Sequence, residues 1–435
     1  MRNQVNALLD ALGLNAAGKL AWKDNTYTFS QLDEATRAGK RAQWLRQGDG
    51  FGICLQIIVK ALPRPFPIPD SWRSIRQVLG EERSNALVSE IVAFIESIPR
   101  RYDFSFPLHT TQPLGSDVVT LASNVALVTI TETVPAAPTG GNLLSGLFGM
   151  GNAAPPNNAP ITEVKRVVVR FRVPGYFEDS PENPTVMFAL SMLRQFAALS
   201  FSAGYMGFKG QPGFLTLRPT ATVADVTGGN YVSDFKTPEV IAGLLDSLHL
   251  SDTAISADLS SRVEGLPIED LISGEPVSVD WRPKVLQSNF SPIMEAMHPR
   301  SKDRHSLRTA AEWLFDSHAE QNETAALLFG SIGLEAVLES PVRDVTERLA
   351  DRLAYLLGKT PTQRNKLQNE YKTFYGVRSN LIHGRERRIG DDGRSKLQWA
   401  RTTLASVIGH ELEQGRQPDS RIEPDDPQGE AEGPK

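Results

Sequence analysis

The sequence predicts an α+β protein, with a mixed α/β region over residues 1–290 followed by an all-α helical bundle over residues 301–412. Two observations carry the division. Residues 118–134 and 164–173 are β-like runs rich in Val, Thr and Ile. In the second, Val164, Arg166, Val168, Arg170 and Arg172 alternate with Lys165, Val167, Val169, Phe171 and Val173, the period of a sheet with one solvated face. Beyond residue 301 the apolar residues recur at helical spacing, and short links suit antiparallel helices over 307–318, 324–339, 342–357, 362–383 and 396–413. With 435 residues, 40% hydrophobic and 22% charged, the chain is long enough for two or three cores.

From the amino terminus, residues 20–23 and 26–29 read as a hairpin about Asp24-Asn25, followed by a helix opened by Ser30 with Asp33 three positions later. Residues 51–59 are an apolar run with the length of a strand. Pro63, Pro65, Pro67 and Pro69 stiffen the segment 61–70 into a candidate sub-boundary, after which helical segments start at Asp70 or Ser71 and reach about Ile98. Between the two β-runs, residues 135–160 form a low-complexity insert of Pro, Ala, Gly and Asn. It is expected to be flexible and holds an apolar island, Leu143 to Met150, that would dock on a partner or on the protein's own surface.

The most apolar long window, 186–206, contains Arg194, Gln195 and several serines and reads as a buried helix, so no membrane span is expected. The glycines at 207–213 and 228–229 are turn material without the spacing of a nucleotide-binding loop. Residues 237–250 and parts of 255–273 look helical, and Pro283, Pro292 and Pro299 suit a linker over 281–299. The tail, 413–435, is rich in Pro, Gly and Glu and reads as disordered and acidic.

The segment 360–384 reads as one helix with both ends marked. Thr360 is the expected N-cap, Pro361 suits the first turn and Gly384 offers a left-handed stop. Leu367, Tyr371, Phe374, Arg378 and Leu381 recur at steps of four and three, so an arginine stands in a buried stripe. A guanidinium keeps its charge and is costly to bury alone; it must meet a carboxylate or be held ready for an anion such as phosphate. Glu335 is the candidate carboxylate, projecting among Leu328, Ile332 and Leu338 of the preceding apolar helix. His383 lies five residues after Arg378, a rotation of roughly 140° at about 100° per residue. It therefore stacks beyond Ser379 and Tyr375 on the face away from the stripe, where it either caps the helix or meets a second subunit.

The run from Tyr375 through Arg378, Ser379, Asn380 and His383 to Gly384 resembles the Arg-x4-6-His signature of the HEPN superfamily, in particular its Apea-like branch. The order of an apolar helix ending in Glu335 and Glu339, a charged amphipathic helix and then the motif helix is similar to that family over residues 301–412. The resemblance implies a metal-independent endoribonuclease without cofactors, active as a homodimer whose two motifs face each other. Arg378 would grip the scissile phosphate, His383 would move the proton of the attacking 2′-hydroxyl, and Ser379 stands where many active members have Asn, Asp or His. Glu335, Tyr375 and Asn380 are expected to support these groups. The family context points to antiphage defence, with the amino-terminal region sensing an unknown trigger or protein partner.

Charge bears on the choice of substrate. The whole chain carries a formal −5, which argues against nonspecific nucleic-acid binding by the entire surface. Yet residues 359–401 hold 11 Lys and Arg against 4 Asp and Glu, an excess of +7 around the motif. Arg385, Arg387 and Arg388 follow His383 and are expected to track phosphates; a solvated loop is the alternative. A single cysteine, Cys54, rules out an internal disulfide, and no Cys/His grouping suggests a metal. Residues 1–13 lack the pattern of a secretory signal, and a cytoplasmic protein is expected. The other functional reading is a catalytically inactive HEPN module used for RNA binding or dimerisation, with Arg378 merely paired to Glu335; a third is a pure interaction protein.

Overall fold

The computed structural model describes residues 1–23, 29–110, 114–135, 161–180, 182–208, 221–227, 232–235, 237–255, 281–298, 304–338 and 345–414. Two compact units are formed, one by Met1–Phe106, Arg170–Ser191 and Leu217–Gly243, the other by Pro107–Val169, Met192–Thr216 and Leu244–Lys435. The insert at 136–160, the tail beyond 414, the turn at 24–25 with residues 26–28 of the second hairpin arm, residues 209–213 and 228–229 of the glycine turns and 256–273 of the helical stretch lie outside the described residues, while Phe29 and Ile255 are helical and Gly207 and Phe208 are in a strand.

The first unit opens with Arg2–Ala11 (α1), Leu12–Leu14 (β1) and Leu20–Trp22 (β2), continues through Phe29–Thr36 (α2) and Asp49–Ala61 (α3), and then forms Arg73–Ser74 (β3), Ile75–Leu79 (α4) and Glu81–Glu96 (α5). Two sequence expectations change here. The arm at Leu20 pairs backwards onto β1, with Leu14 opposite Leu20 and Leu12 opposite Trp22, and β1 also pairs with β3. The apolar run 51–59 is part of helix α3, which buries Ile53, Cys54 and Ile58 against Leu8, Leu32, Val88 and Ile91. An apolar run of that length has no period to separate a buried strand from a buried helix. Residues 62–72, which include the four prolines, contain no helix or strand. The helical stretch that follows breaks at Gly80, whose φ of 80° is left-handed, after a capping box between Ser74 and Gln77 starts α4.

Arg100–Leu108 (β4), Val118–Ala122 (β5), Val125–Pro135 (β6), Ile161–Gly175 (β7), Ala221–Asp225 (β9) and Val232–Phe235 (β10) make a six-stranded sheet in the order β10-β9-β4-β7-β6-β5, Met206–Phe208 being β8. The predicted run 118–134 is thus a hairpin, β5 antiparallel to β6, split by a turn at Ser123 and Asn124. The alternation read in β7 holds from Val169 on and fails before it, since Val168, expected on the arginine face, is buried like its two neighbours. Val167, Val169, Phe171 and Val173 are buried, whereas Arg172 makes a two-pronged bond to Asp103 at 2.8 and 2.9 Å and Arg170 bonds Ser105 at 3.3 Å.

Pro184–Ser202 (α6) is the one helix among the described residues long and apolar enough to cross a membrane; 56% of its apolar window is buried inside the protein. Phe196 stacks on Phe290 with ring centres 5.4 Å apart, and Arg194 pairs with Asp316 at 2.6 Å. These contacts make α6 a core helix. Glu239–Ser247 (α7) stops before Leu248–Leu250 (β11), which pairs with β8, so the helix predicted over 237–250 ends three residues early; Asp252–Ile255 (α8) follows.

The carboxy-terminal region is helical: Trp281–Met297 (α9), His305–Ala319 (α10), Glu323–Leu338 (α11), Val345–Leu357 (α12), Pro361–Ile382 (α13) and Asp391–Gln414 (α14). The proline-marked stretch 281–299, expected as a linker, is helix α9 with Pro292 inside it, kept in register by fully buried Leu286, Phe290 and Ile293. α11 packs mainly on α10 and α14 and only lightly on α13. Gly333 makes that closeness possible, since a Cβ there would fall 2.5 Å from Leu404 Cδ2 and 3.2 Å from Trp313 Cβ. At the start of α13 the Thr360 hydroxyl accepts from Gln363 N–H and the Gln363 side chain accepts from Thr360 N–H, with Pro361 in the first turn. Replacing Thr360 by alanine strands one of these donors. Thr360→Ala is expected to cost about 1 kcal/mol, read as a lowered midpoint in denaturant with an unchanged slope.

Candidate functional site

The site is built on the second half of α13. Tyr371, Phe374 and Leu381 are buried, Leu367 is half-buried, and Arg378 occupies the stripe position between Phe374 and Leu381. Its guanidinium meets Glu335 of α11: Nη2 lies 3.1 Å from Oε1 and donates a long hydrogen bond of 3.4 Å to Oε2. Both side chains are largely covered, 20% and 30% exposed. Beneath the cation lies the Tyr375 ring, 5.2 Å from the guanidinium carbon, and Tyr375 in turn stacks on Tyr371 at 6.3 Å. Trp399 of α14 closes the column against Tyr371 and Phe374, its indole N–H donating to Glu370 at 2.9 Å. Burial raises the Glu335 carboxyl above the usual carboxylate range, with Arg378 pulling it back down.

The face of α11 that offers Glu335 differs from the expected one. Leu338 is buried, but Ile332 is 36% exposed and Leu328 half-buried; the covered residues are Leu327, Gly330, Ser331, Gly333 and Leu334. The reason is that α10 and α14 claim the small-residue sides of α11, leaving Leu328, Ile332 and Glu335 on the lightly packed side.

At the far end of α13, His383 is the C-cap, exposed, with its N–H bonded to Ser379 O at 3.0 Å. Gly384 follows with φ 68°, the left-handed value that the stop requires. The chain then folds back, so that the Asn380 carbonyl accepts from both Arg385 N–H at 2.9 Å and Glu386 N–H at 3.2 Å, while the Asn380 side chain donates to Glu386 at 3.4 Å. Ser379 is half-buried. Asn380 therefore organises the loop that carries Arg385, Arg387 and Arg388, all exposed and without an ion pair to a described residue. The structure thus brings Arg378, Tyr375 and Glu335 together and sets His383 on a different, open side.

Much of the local charge excess is spent internally. Arg394 bonds Glu323 at 2.9 Å and Asp391 at 3.0 Å, Lys372 pairs with Glu347 at 3.3 Å, Arg364 bonds Gly358 O at 2.9 Å, and Arg401 holds Ser317. Tyr371 and Trp399 are the supporting side chains that sequence reading left unassigned to the site. Tyr371 carried a signal, its i,i+4 spacing to Tyr375. An open hollow of about 480 Å³, lined by Tyr355, Gly358, Lys359, His410 and Glu413, adjoins the start of α13. That is roughly 33 Å along the helix from its motif end, at 1.5 Å per residue.

Among the described residues, no group of three or more His, Cys, Asp or Glu side chains is placed to hold a metal ion. Cys54 is fully buried and its thiol is pushed up to about 12 by burial, so it is no nucleophile. A thiol-reactive dye at mildly alkaline pH is expected to leave the native protein unlabelled and to label one cysteine per chain in guanidinium. Comparison of the chain with protein-family models, with curated proteins and with solved structures finds no match.

Proposed function

We propose that the chain is an endoribonuclease of the HEPN type that needs no metal and cleaves RNA through its own 2′-hydroxyl. One observation carries this: Arg378 sits in a buried stripe with an incomplete set of partners, five residues before an exposed histidine that three arginines with no ion pair to a described residue follow. The 2′-oxygen attacks phosphorus and the bond to the 5′-oxygen breaks, leaving a 2′,3′-cyclic phosphate and a 5′-hydroxyl. His383 takes the 2′-hydroxyl proton, and the leaving oxygen gains its proton from the His383 of a second copy. Arg378 offsets the charge of the phosphorane, and Arg385, Arg387 and Arg388 track the flanking phosphates.

A homodimer suits this chemistry, because Arg378 and His383 of one helix point to different sides and a phosphate bound between two copies meets both kinds of group. In this reading the protein works in the cytoplasm, and the amino-terminal unit answers a trigger or protein partner, with antiphage defence as the setting. The second reading is an inactive RNA-binding or dimerisation module, favoured by the ion pair that already engages Arg378.

The test is cleavage of total cellular RNA by the purified full chain in EDTA, with end-group analysis. Wild type is expected to give cyclic phosphate and 5′-hydroxyl ends, with His383→Ala and Arg378→Ala each slower by about 10² or more. Because His383 is exposed, its replacement is expected to change stability by less than about 0.5 kcal/mol, so lost cleavage reports chemistry. Equal silence of all three proteins, with RNA still retained, would establish the binding module instead.

A further inference from the structure

The Arg378–Glu335 contact has the wrong form for a closed structural salt bridge. A buried structural pair of arginine and carboxylate usually uses two parallel N–H bonds, one from each prong of the fork. Here both carboxylate oxygens lie against the same nitrogen, Nη2. Arg378 Nε and Glu335 Oε1 are buried without a hydrogen-bond partner. Oε1 is nevertheless held at 3.1 Å in the ion pair, so Nε is the donor left over, and an unpaired buried donor costs free energy and calls for an explanation. On its other side the guanidinium lies against the Tyr375 ring, which stacks on Tyr371, and Tyr371 in turn packs against Trp399.

We infer that Glu335 and Tyr375 are positioning residues: they clamp Arg378 by one terminal nitrogen and one ring face, so that the part of its side chain left exposed is presented to the scissile phosphate of RNA. This rests on the ribonuclease reading above. The carboxylate supplies direction rather than chemistry.

Kinetics on the full chain with a short fluorescent RNA separates this role from a structural one. Glu335→Gln keeps an acceptor of the same shape, whereas Glu335→Ala removes it. Glu335→Ala is expected to lower kcat roughly tenfold or more through misplacement of Arg378, with KM within about twofold. Glu335→Gln is expected to restore most of kcat. Melting curves on the same samples show whether Glu335→Ala is folded. Wild-type cleavage with an equally active, folded Glu335→Ala, or a Gln variant no better than the Ala variant, overturns the clamp and leaves the ribonuclease standing. Should Glu335→Ala fail to fold, the Gln variant and Tyr375→Leu decide: full activity in Tyr375→Leu overturns the clamp, and a kcat loss with KM held supports it. Wild type that cuts no better than His383→Ala overturns both.

Discussion

A positive charge placed inside an apolar stripe constrains everything around it. α13 buries Tyr371, Phe374 and Leu381 on one face, and the periodicity that covers them also covers position 378. Arginine cannot escape by losing its proton, so the neighbouring helix must supply a counter-charge or the fold must leave a gap to water. α11 supplies Glu335, and it does so from its least crowded side. Its glycines and small residues are used against α10 and α14, where Gly333 admits the Leu404 side chain. Desolvating two charges to join them seldom stabilises a protein relative to an apolar pair of the same shape. Two leucines would fill the place more simply. Retaining a half-covered ion pair that leaves the buried Arg378 Nε unpaired is understandable where the cation has a second task.

The end of the same helix answers a different constraint. The last carbonyls of a helix need donors, and α13 finds them in its own downstream chain, with Gly384 in the left-handed conformation and the Asn380 carbonyl taking two N–H groups. One consequence is electrostatic. The turn leaves the His383 side chain exposed at the helix end, although its N–H still closes the last helical bond to Ser379, and directs the following arginines into solvent, whereas Arg364, Arg394 and Arg401 are held by partners. The sheet makes the contrast plain: Arg170 and Arg172, exposed in pattern, are bonded to Ser105 and Asp103 across β4. A positive residue count overstates the charge offered to a phosphate, and the pairing of each cation decides it.

What could be read from the sequence follows from which forces are local. The caps of α13, its buried stripe and the pairing of Arg378 with Glu335 were legible, because a cap is a contact within four residues and a buried charge leaves few partners. Residues 51–59 read as a strand but belong to the helix Asp49–Ala61, since nine largely apolar residues show no clear period, and what settles them is the surrounding helical core. Pro292 suggested a linker because proline breaks isolated helices, but three fully buried side chains on α9 outweigh one lost hydrogen bond. The pairing of β2 with β1 is set by the return of the chain to Leu12–Leu14 and is outside the reach of turn rules. The exposure of Ile332 was equally hidden, since an apolar helix surrounded unequally by neighbours shows no polar face to reveal the difference.

The division of labour along α13 also bears on why a single phosphate site would need more than one copy of the chain. From Arg378 to His383 the helix advances about 7.5 Å and turns roughly 140°, so the two side chains leave the axis in different directions. Arg378 is tethered by Glu335 and Tyr375, which prevents it from swinging to the histidine's side without giving up both contacts. His383, at the C-cap and exposed, is free of such a tether but cannot move into the stripe that Phe374 and Leu381 fill. In the proposed reaction the phosphate must be touched by the cation while its flanking oxygens exchange protons with imidazole. A second motif approaching from the open side meets that geometric demand, and it does so without loosening the clamp on Arg378. Under the proposed reaction, the rigidity of the arginine and the exposure of the histidine would be two parts of one arrangement, with charge fixed within a chain and proton transfer completed between chains.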